Sequence, residues 1–389
     1  MNIDFDTIVD RRNTNSVKWD LAEKLTGVAD ALPMWVADMD FLAPAPVLDA
    51  LQRRVSHGIF GYSVIPDSCY EAVIRWAQKR HRWTIEKDWI VFTSGVVPAL
   101  HWIVTAWTQP GDSVIVQPPV YYPFFRAARV NNCELVENPL MLDNNRYVMD
   151  FDQLEQAIDD RARVFVLCSP HNPVGRLWTQ NELVRLGEIC LKRDILLCSD
   201  EIHWDLALYD NRHIPTATVS DAIAQNTITL VAPNKTFNLA GISIAMAIIP
   251  NSSLRAKFVS MQQELGIHMD GNVFGAVAAE AAYTHGEEWL ENLLAYIQGN
   301  LEFLTAYLEA HIPKIRVVPP EGTYLAWLDC RALNLGDAEL KDVMLKDAKV
   351  WLNDGPTFGI GGSGFQRLNL ACPRPILQEA LQRLERAVN

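Results

Sequence analysis

Residues 163–201 read RVFVLCSPHNPVGRLWTQNELVRLGEICLKRDILLCSDE, and the order of the patterns in them decides the fold. RVFVLC (163–168) and DILLC (194–198) carry apolar side chains on both faces, as strands buried on both sides do. Between them, Thr179-Gln180-Asn181-Glu182 fits a capping box, in which the Thr hydroxyl and the Glu carboxylate each take the other residue's backbone amide. Leu183, Leu186 and Ile189 follow at helical spacing. Strand, helix and strand in that order predict a parallel pair joined by a crossover helix.

The same alternation extends to both sides. WIVFTSG (89–95), DSVIVQPP (112–119) and TITLVAP (227–233) are further strand candidates. Ala99, Leu100, Ile103, Val104 and Trp107 give one apolar helix face, and Pro110-Gly111 stops that helix. The expected architecture is α/β, a mostly parallel sheet with helices on both faces, with ligands at the carboxyl ends of the strands. From Trp289 the pattern changes. Trp289, Leu290, Leu293, Leu294, Ile297, Leu301, Leu304 and Leu308 form the stripe of a long helix, and IRVVP and TYLAWLD are short strand candidates of a smaller α+β lobe. The expected division is a large domain over 48–285 and a small domain over 286–389, with residues 1–47 packed on it. No internal repeat or flexible linker interrupts it.

Composition sets the class. The chain has 389 residues, which at about 150 residues per domain suggests two or three domains. Apolar residues make up 49%, enough for a large core and too many for a disordered or low-complexity chain. With 34 Lys+Arg against 47 Asp+Glu the net charge is −13, which disfavours non-specific binding to nucleic acid or anionic lipid. MNIDFDTIVDRR has no basic start followed by an apolar run, so no signal peptide is expected, and the apolar run Ile242–Ile249 is too short to span a bilayer. The seven cysteines form no C-x-x-C pair and several sit in apolar runs, which suits reduced core thiols in a cytoplasmic protein. No zinc pattern is present, and no metal is expected.

The chemistry-bearing residues fall just after strand ends. In TSGVV (93–97) the amides of Gly95, Val96 and Val97 open a helix and offer an anion site, unless the glycine serves only a tight turn. SPHNPVGR (169–176) fixes Asn172 between two X-Pro bonds, either as a ligand amide or as the cap of a rigid loop. SDEIHWD (199–205) puts Asp200 at the tip of a central strand, where a carboxylate needs a cationic partner or serves as a helix cap. His203 and Asp205 with a distant His213 or His268 also mimic a two-histidine, one-carboxylate iron triad, although nothing in the sequence sets the third ligand. VAPNKTFNLAGI (231–242) holds Lys235 in a polar turn; desolvated there, its amine is a nucleophile toward aldehydes, and otherwise it is a solvated lysine.

Taken together these are the parts that hold pyridoxal phosphate: a lysine for the aldehyde, an anion for the pyridinium nitrogen, a donor for the phenolic oxygen and a helix end for the phosphate. WVADMDF (35–41), GIFGYS (58–63), PPVYYPF (118–124), CSPHNPVGR (168–176), SDEIHWD, KTFNLAG (235–241), GTYLAWLD (322–329) and RLNLACPR (367–374) extend the pattern nearly end to end. The chain thereby resembles the fold-type I pyridoxal-phosphate enzymes of the aminotransferase class I/II superfamily. Within it, the chain is similar to the MalY/PatB branch of cystathionine β-lyases (C–S lyases).

The resemblance implies an aspartate aminotransferase-like fold and roles for particular residues. Lys235 would carry the cofactor and act in catalysis with Asp200, which pairs the pyridine nitrogen, and Tyr121, which stacks on the ring. Asn172 would bond the phenolic oxygen, His203 and Asn234 would stand beside the cofactor, and Arg367, Asp38 and Asn172 would receive the substrate. Tyr62 would reach the phosphate in a partner subunit, which implies a homodimer with a shared active site. Relatives usually carry a serine three residues before the lysine, and here that position is Ala232; one phosphate donor is lost unless Asn234 or a water replaces it. The implied activity is cleavage of cystathionine or another cysteine S-conjugate to thiol, pyruvate and ammonia. Transamination uses the same residues and is the alternative. A MalY-like relative that restrains a transcriptional activator suggests a protein-binding role, which no apolar stripe or charged patch in the sequence supports.

Overall fold

The computed structural model describes residues 4–267 and 272–389. Its centre is a seven-stranded sheet built from β1 (Ile90–Thr93), β2 (Ser113–Val116), β3 (Glu134–Glu137), β4 (Ala162–Cys168), β5 (Leu196–Asp200), β6 (Thr227–Val231) and β7 (Ala245–Ile248), in the spatial order β1-β7-β6-β5-β4-β2-β3. All pairings are parallel except those of β7, which runs antiparallel to both β1 and β6. β2, β5, β6 and β7 are buried throughout, as the two-sided apolar runs predict.

Register levels one edge of this sheet. Cys168 pairs with Asp200 and Asp200 with Leu230, while Met246 faces both Val231 and Phe92. The carboxyl ends of β1, β4, β5 and β6 therefore lie side by side, and the four loops that carry the chemistry leave from one line.

The helices cover the sheet as their periodicity requires. After β1 comes α1 (Val96–Trp107), which buries Ala99, Leu100, Ile103 and Val104. After β4 comes α2 (Gln180–Lys192), started by the expected capping box: Thr179 Oγ1 accepts the Glu182 amide at 3.3 Å and Glu182 Oε2 accepts the Thr179 amide at 2.7 Å. A long helix, α3 (Glu287–His311), buries the whole stripe from Trp289 to Leu308. Truncating one of its leucines to Ala would cost on the order of 2–5 kcal/mol. Asn300 lies on the same stripe and is satisfied there by donating to the carbonyls of Leu370 and Cys372 at 2.9 Å each.

A second sheet of four antiparallel strands follows in the chain: β8 (Arg316–Val318), β9 (Leu325–Asp329), β10 (Asn353–Asp354) and β11 (Phe365–Asn369), in the order β8-β9-β11-β10. Leu32–Pro33 pairs in parallel with Val350–Trp351, and Asn369 Nδ2 donates to the carbonyls of Val36 and Asp38 at 2.7 and 2.6 Å. These bonds carry the segment 34–40 across the end of the large sheet. All seven cysteines are buried and unpaired, and burial pushes thiols such as Cys190 up to about 12, which keeps them unreactive.

Candidate active site

Hydrogen bonds and ion pairs, near and far in sequence, hold the loop after β4. The Ser169–Pro170 and Asn172–Pro173 bonds are cis, His171 N–H donates to the Arg176 carbonyl at 2.8 Å, and Arg176 is held by Glu321 at 2.9 Å and Glu182 at 3.0 Å. Gly175 has φ +72°, and a Cβ there would fall 2.5 Å from Pro320, so this turn requires glycine. The loop places Asn172, 4% exposed, so that its Oδ1 accepts Arg367 Nη1 at 2.9 Å. Its Nδ2 has no partner among the described residues and remains for a ligand.

Asp200 closes β5, the middle strand of the seven. It is 4% exposed, and its Oδ1 accepts the Ile202 amide at 3.1 Å. The chain turns after it without forming a helix, so the helix-cap alternative does not hold. Among the described residues no cation pairs with it. Burial pushes its pKa up to about 7, with the Lys235 charge pulling the other way. A carboxylate kept here unpaired awaits a cationic partner.

Lys235 lies in one helical turn, Pro233–Thr236, rather than in an open polar turn, because Pro233 starts the turn with a φ already helical. Its Nζ donates to the Ala37 carbonyl at 2.5 Å, which also accepts Tyr324 Oη at 2.9 Å. Burial, and then the positive charge of Arg367, lower its pKa to about 8 against the opposing pull of Asp38 and Asp200. An amine so placed loses its proton far more readily than an ordinary lysine.

Arg367, on β11, is 3% exposed. Its guanidinium donates to Asn172, to the Trp35 carbonyl at 2.8 Å and to Asn353 Oδ1, while Nε has no partner and no carboxylate pairs with it among the described residues. Burial lowers its pKa to about 10, so it stays charged near neutrality. His203 is buried, its Nδ1 is without a partner among the described residues, and burial together with the charges of Lys235 and Arg367 keeps it neutral. Tyr121 stands beside Tyr122 with ring centroids 5.2 Å apart, its hydroxyl kept protonated by burial.

These groups share one cavity of about 190 Å³. Lys235, Asp200, Asn172 and His203 line it, as do Tyr121, Asn234, Arg367 and the first residues of α1, Val96 and Val97. Gly95 precedes α1 as its cap, and no side chain bonds the first amides of the helix. Cavities of about 740 and 680 Å³ elsewhere are larger, yet neither gathers a lysine, an unpaired carboxylate and an unpaired guanidinium. Chemistry, not size, singles out the site.

Three expected residues do not line the cavity: Asp38, Tyr62 and Gly95, which stands just before the lining residues Val96 and Val97. Asp38 is taken by Arg11 at 2.6 Å, with Lys18 at 3.6 Å, and does not line the cavity. Tyr62 lies fully exposed in the stretch 58–66 and is not among the residues lining this cavity. The iron triad also fails. Asp205 is bonded to His81, Trp76 and Thr236, His213 is bonded to Glu201, and His268 lies outside the described residues. Among the described residues no group of three or more His, Cys, Asp or Glu side chains is arranged to hold a metal ion.

Trp35, Tyr324 and Asn353 are site residues that the reading of single residues missed. Trp35 and Tyr324 lie within WVADMDF and GTYLAWLD, whereas Asn353 lies in none of the quoted motifs, and only long-range pairing brings these segments together beside Lys235.

The donor set tests the cofactor. Among the described residues His203 Nδ1 and Arg367 Nε are buried without partners, beside an uncapped helix start, an unpaired carboxylate and an easily deprotonated lysine. That combination fits pyridoxal phosphate, group for group. Fold and site together define a fold-type I pyridoxal-phosphate protein. The pattern described as "Aminotransferase class I and II" matches residues 34–384, and the chain belongs to that family.

It is 45% identical over 388 residues to the cystathionine β-lyase PatB of Bacillus subtilis, covering 100% of both chains. It is 32% identical over 387 residues to the protein MalY of Escherichia coli, covering 99% of this chain and 98% of MalY. Cystalysin from Treponema denticola, whose crystal structure contains pyridoxal 5′-phosphate, superposes with a TM-score of 0.96 at 36% identity, covering 100% of this chain and 99% of cystalysin. No helix among the described residues is long and apolar enough to cross a membrane.

Proposed function

We propose that the chain is a pyridoxal-phosphate-dependent carbon–sulfur β-lyase, converting cystathionine or a related cysteine S-conjugate and water into a thiol, pyruvate and ammonia. The carrying observation is Arg367: a buried guanidinium with no carboxylate partner among the described residues, in one cavity with an amine whose pKa is about 8. An amino acid supplies the missing carboxylate. The 45% identity to PatB, a cystathionine β-lyase, favours elimination over transamination.

When bound, pyridoxal phosphate supplies an aldehyde carbon and an electron sink. The protein's residues do the rest. The amides of Val96 and Val97, with the Asn234 side chain, would hold the phosphate. Asp200 would keep the proton on the pyridine nitrogen, and Asn172 Nδ2 would donate to the phenolic oxygen. Tyr121 would cover the ring face and exclude water from it. Arg367 would clamp the α-carboxylate and so orient Cα, and the Lys235 amine would take the Cα proton as general base. The thiolate leaves from Cβ, which is where a cysteine S-conjugate bears its sulfur.

The supporting frame is a large domain over 48–285, with 1–47 and 286–389 forming the small one. Tyr62 would reach the phosphate of a second copy, making a homodimer with a shared site. The −13 charge suits a small amino-acid substrate better than nucleic acid or an anionic membrane, and we place the enzyme in the cytoplasm. Replacing Arg367 by Ala should raise KM for cystathionine by about 10²–10³-fold, the loss expected for one buried charge pair. An unchanged KM would remove Arg367 from substrate binding.

A further inference from the structure

Ala37 is not all that holds the lysine turn. Thr236, next to Lys235 and fully buried, donates its hydroxyl to Asp205 Oδ2 at 2.7 Å. The other Asp205 oxygen receives Trp76 Nε1 at 2.9 Å and His81 Nε2 at 2.8 Å, with Arg80 Nε at 3.6 Å. Trp76, Arg80 and His81 all stand on the helix Asp67–His81. Asp205 belongs to the same post-strand loop that Asp200 opens. One buried carboxylate thus joins three elements: the Asp200 loop, that helix and the turn of the lysine.

The charges around Asp205 keep it an acceptor on both oxygens. Burial opposes ionisation, but His81, Arg80 and Thr236 hold its pKa below the usual carboxylate range. His81 is itself buried, stacked on Trp204 with centroids 4.2 Å apart, and its pKa is lowered, first by burial. A neutral His81 facing a carboxylate must donate, so its proton is on Nε2. Arg80 is tied on its outer side to Glu291 at 2.5 Å. Nothing in this cluster lines the cofactor cavity, so none of it belongs to the machinery already assigned.

We propose that Asp205 is a positioning residue: acting through Thr236, it fixes the turn that presents Lys235 to the cofactor aldehyde. The role rests on the reading of Lys235 as the cofactor lysine. A bond to the neighbouring residue in a one-turn helix sets the direction in which the lysine stem leaves the backbone. Without it the amine keeps its anchor at Ala37 but loses the fixed approach on which rapid attachment depends.

The test compares the parent with Thr236→Val, Thr236→Ser and Asp205→Asn. Each apo-protein is incubated with pyridoxal phosphate, and three quantities are read: cofactor retained after gel filtration, the rate at which it becomes fixable by borohydride, and thermal stability. Thr236→Val and Asp205→Asn should retain parent-like amounts of cofactor but attach it about tenfold more slowly, as expected when one hydrogen bond to a charged group no longer sets the geometry. Thr236→Ser, which keeps the hydroxyl, should restore the parent rate. Parent-like attachment rates in both slow candidates, whatever their stability, would make Asp205 a staple of the fold and overturn the role. If Asp205→Asn does not fold, Thr236→Val alone decides. If even the parent gives no borohydride-fixable cofactor, the assignment of Lys235 fails, and the role of Asp205 with it.

Discussion

At the carboxyl edge of the large sheet the polar groups are enclosed, with Asp200 and Asn172 each 4% exposed and Arg367 3% exposed. Between Gly58 and Pro66 the arrangement is inverted: Ile59, Phe60, Tyr62 and Val64 are 67%, 55%, 112% and 75% exposed. Water solvates the apolar stretch, while charged groups sit in the interior without counter-ions. Each region is costly on its own terms, the first in buried charge and the second in wet hydrocarbon. Both costs disappear if the first holds a cofactor and substrate and the second meets another copy of the chain. The comparison teaches that one chain encloses its polar site by itself, while it leaves the apolar stretch 58–66 uncovered.

The largest effect breaks the interior half of this contrast. Lys235→Ala should abolish borohydride-fixable cofactor and lower turnover by at least about 10³-fold. In the parent, the rate of attachment to apo-protein should rise with pH through about 8, because that is where the Lys235 amine loses its proton. A rise only near the ordinary lysine value would mean that the amine is solvated and not part of the site.

The second effect addresses the exposed half. Tyr62→Ala should lower turnover about tenfold, the cost of one hydrogen bond to a phosphate. Mixing it with Lys235→Ala under subunit exchange should then recover activity toward about a quarter of the parent, since half of randomly paired dimers would hold one intact site of two. No recovery would mean that Tyr62 serves the site of its own chain or none.

The smallest effect concerns the phosphate cup. Ala232 is fully buried and does not line the cavity, while Asn234, whose Nδ2 can donate to a phosphate oxygen, does line it. Asn234→Ala should therefore weaken cofactor retention during dialysis by about tenfold or less, and Ala232→Ser should leave it unchanged. Tighter retention in Ala232→Ser would mean that the position still lacks a donor.

The sheet and the residues on it were legible in the sequence because each lies a few positions beyond a strand whose apolar pattern is unmistakable. Asp200, Asn172, Lys235 and the start of α1 need only local order to be found, and parallel register then aligns them. Arg367, Asp38 and Tyr62 entered through motif resemblance, and the outcome differs among them. Arg367 reaches the cavity because β11 pairs with β9 and β10, whereas Asp38 turns to Arg11 and Lys18, charges too distant in sequence to be matched with it by pattern. Trp35 enters the site through the pairing of Leu32–Pro33 with Val350–Trp351, and its ring stacks on Trp351 with centroids 4.2 Å apart. No periodicity signals a two-residue strand that pairs across most of the chain.

The central claim is that the site eliminates a thiol from Cβ. Purified cofactor-loaded protein mixed with cystathionine tests it most directly. The account predicts pyruvate, ammonia and thiol in equal amounts, with little conversion of the cofactor to its amine form by ordinary amino acids. Rapid transamination of an aromatic or aliphatic amino acid with 2-oxoglutarate, and no thiol released from any cysteine thioether, would contradict it.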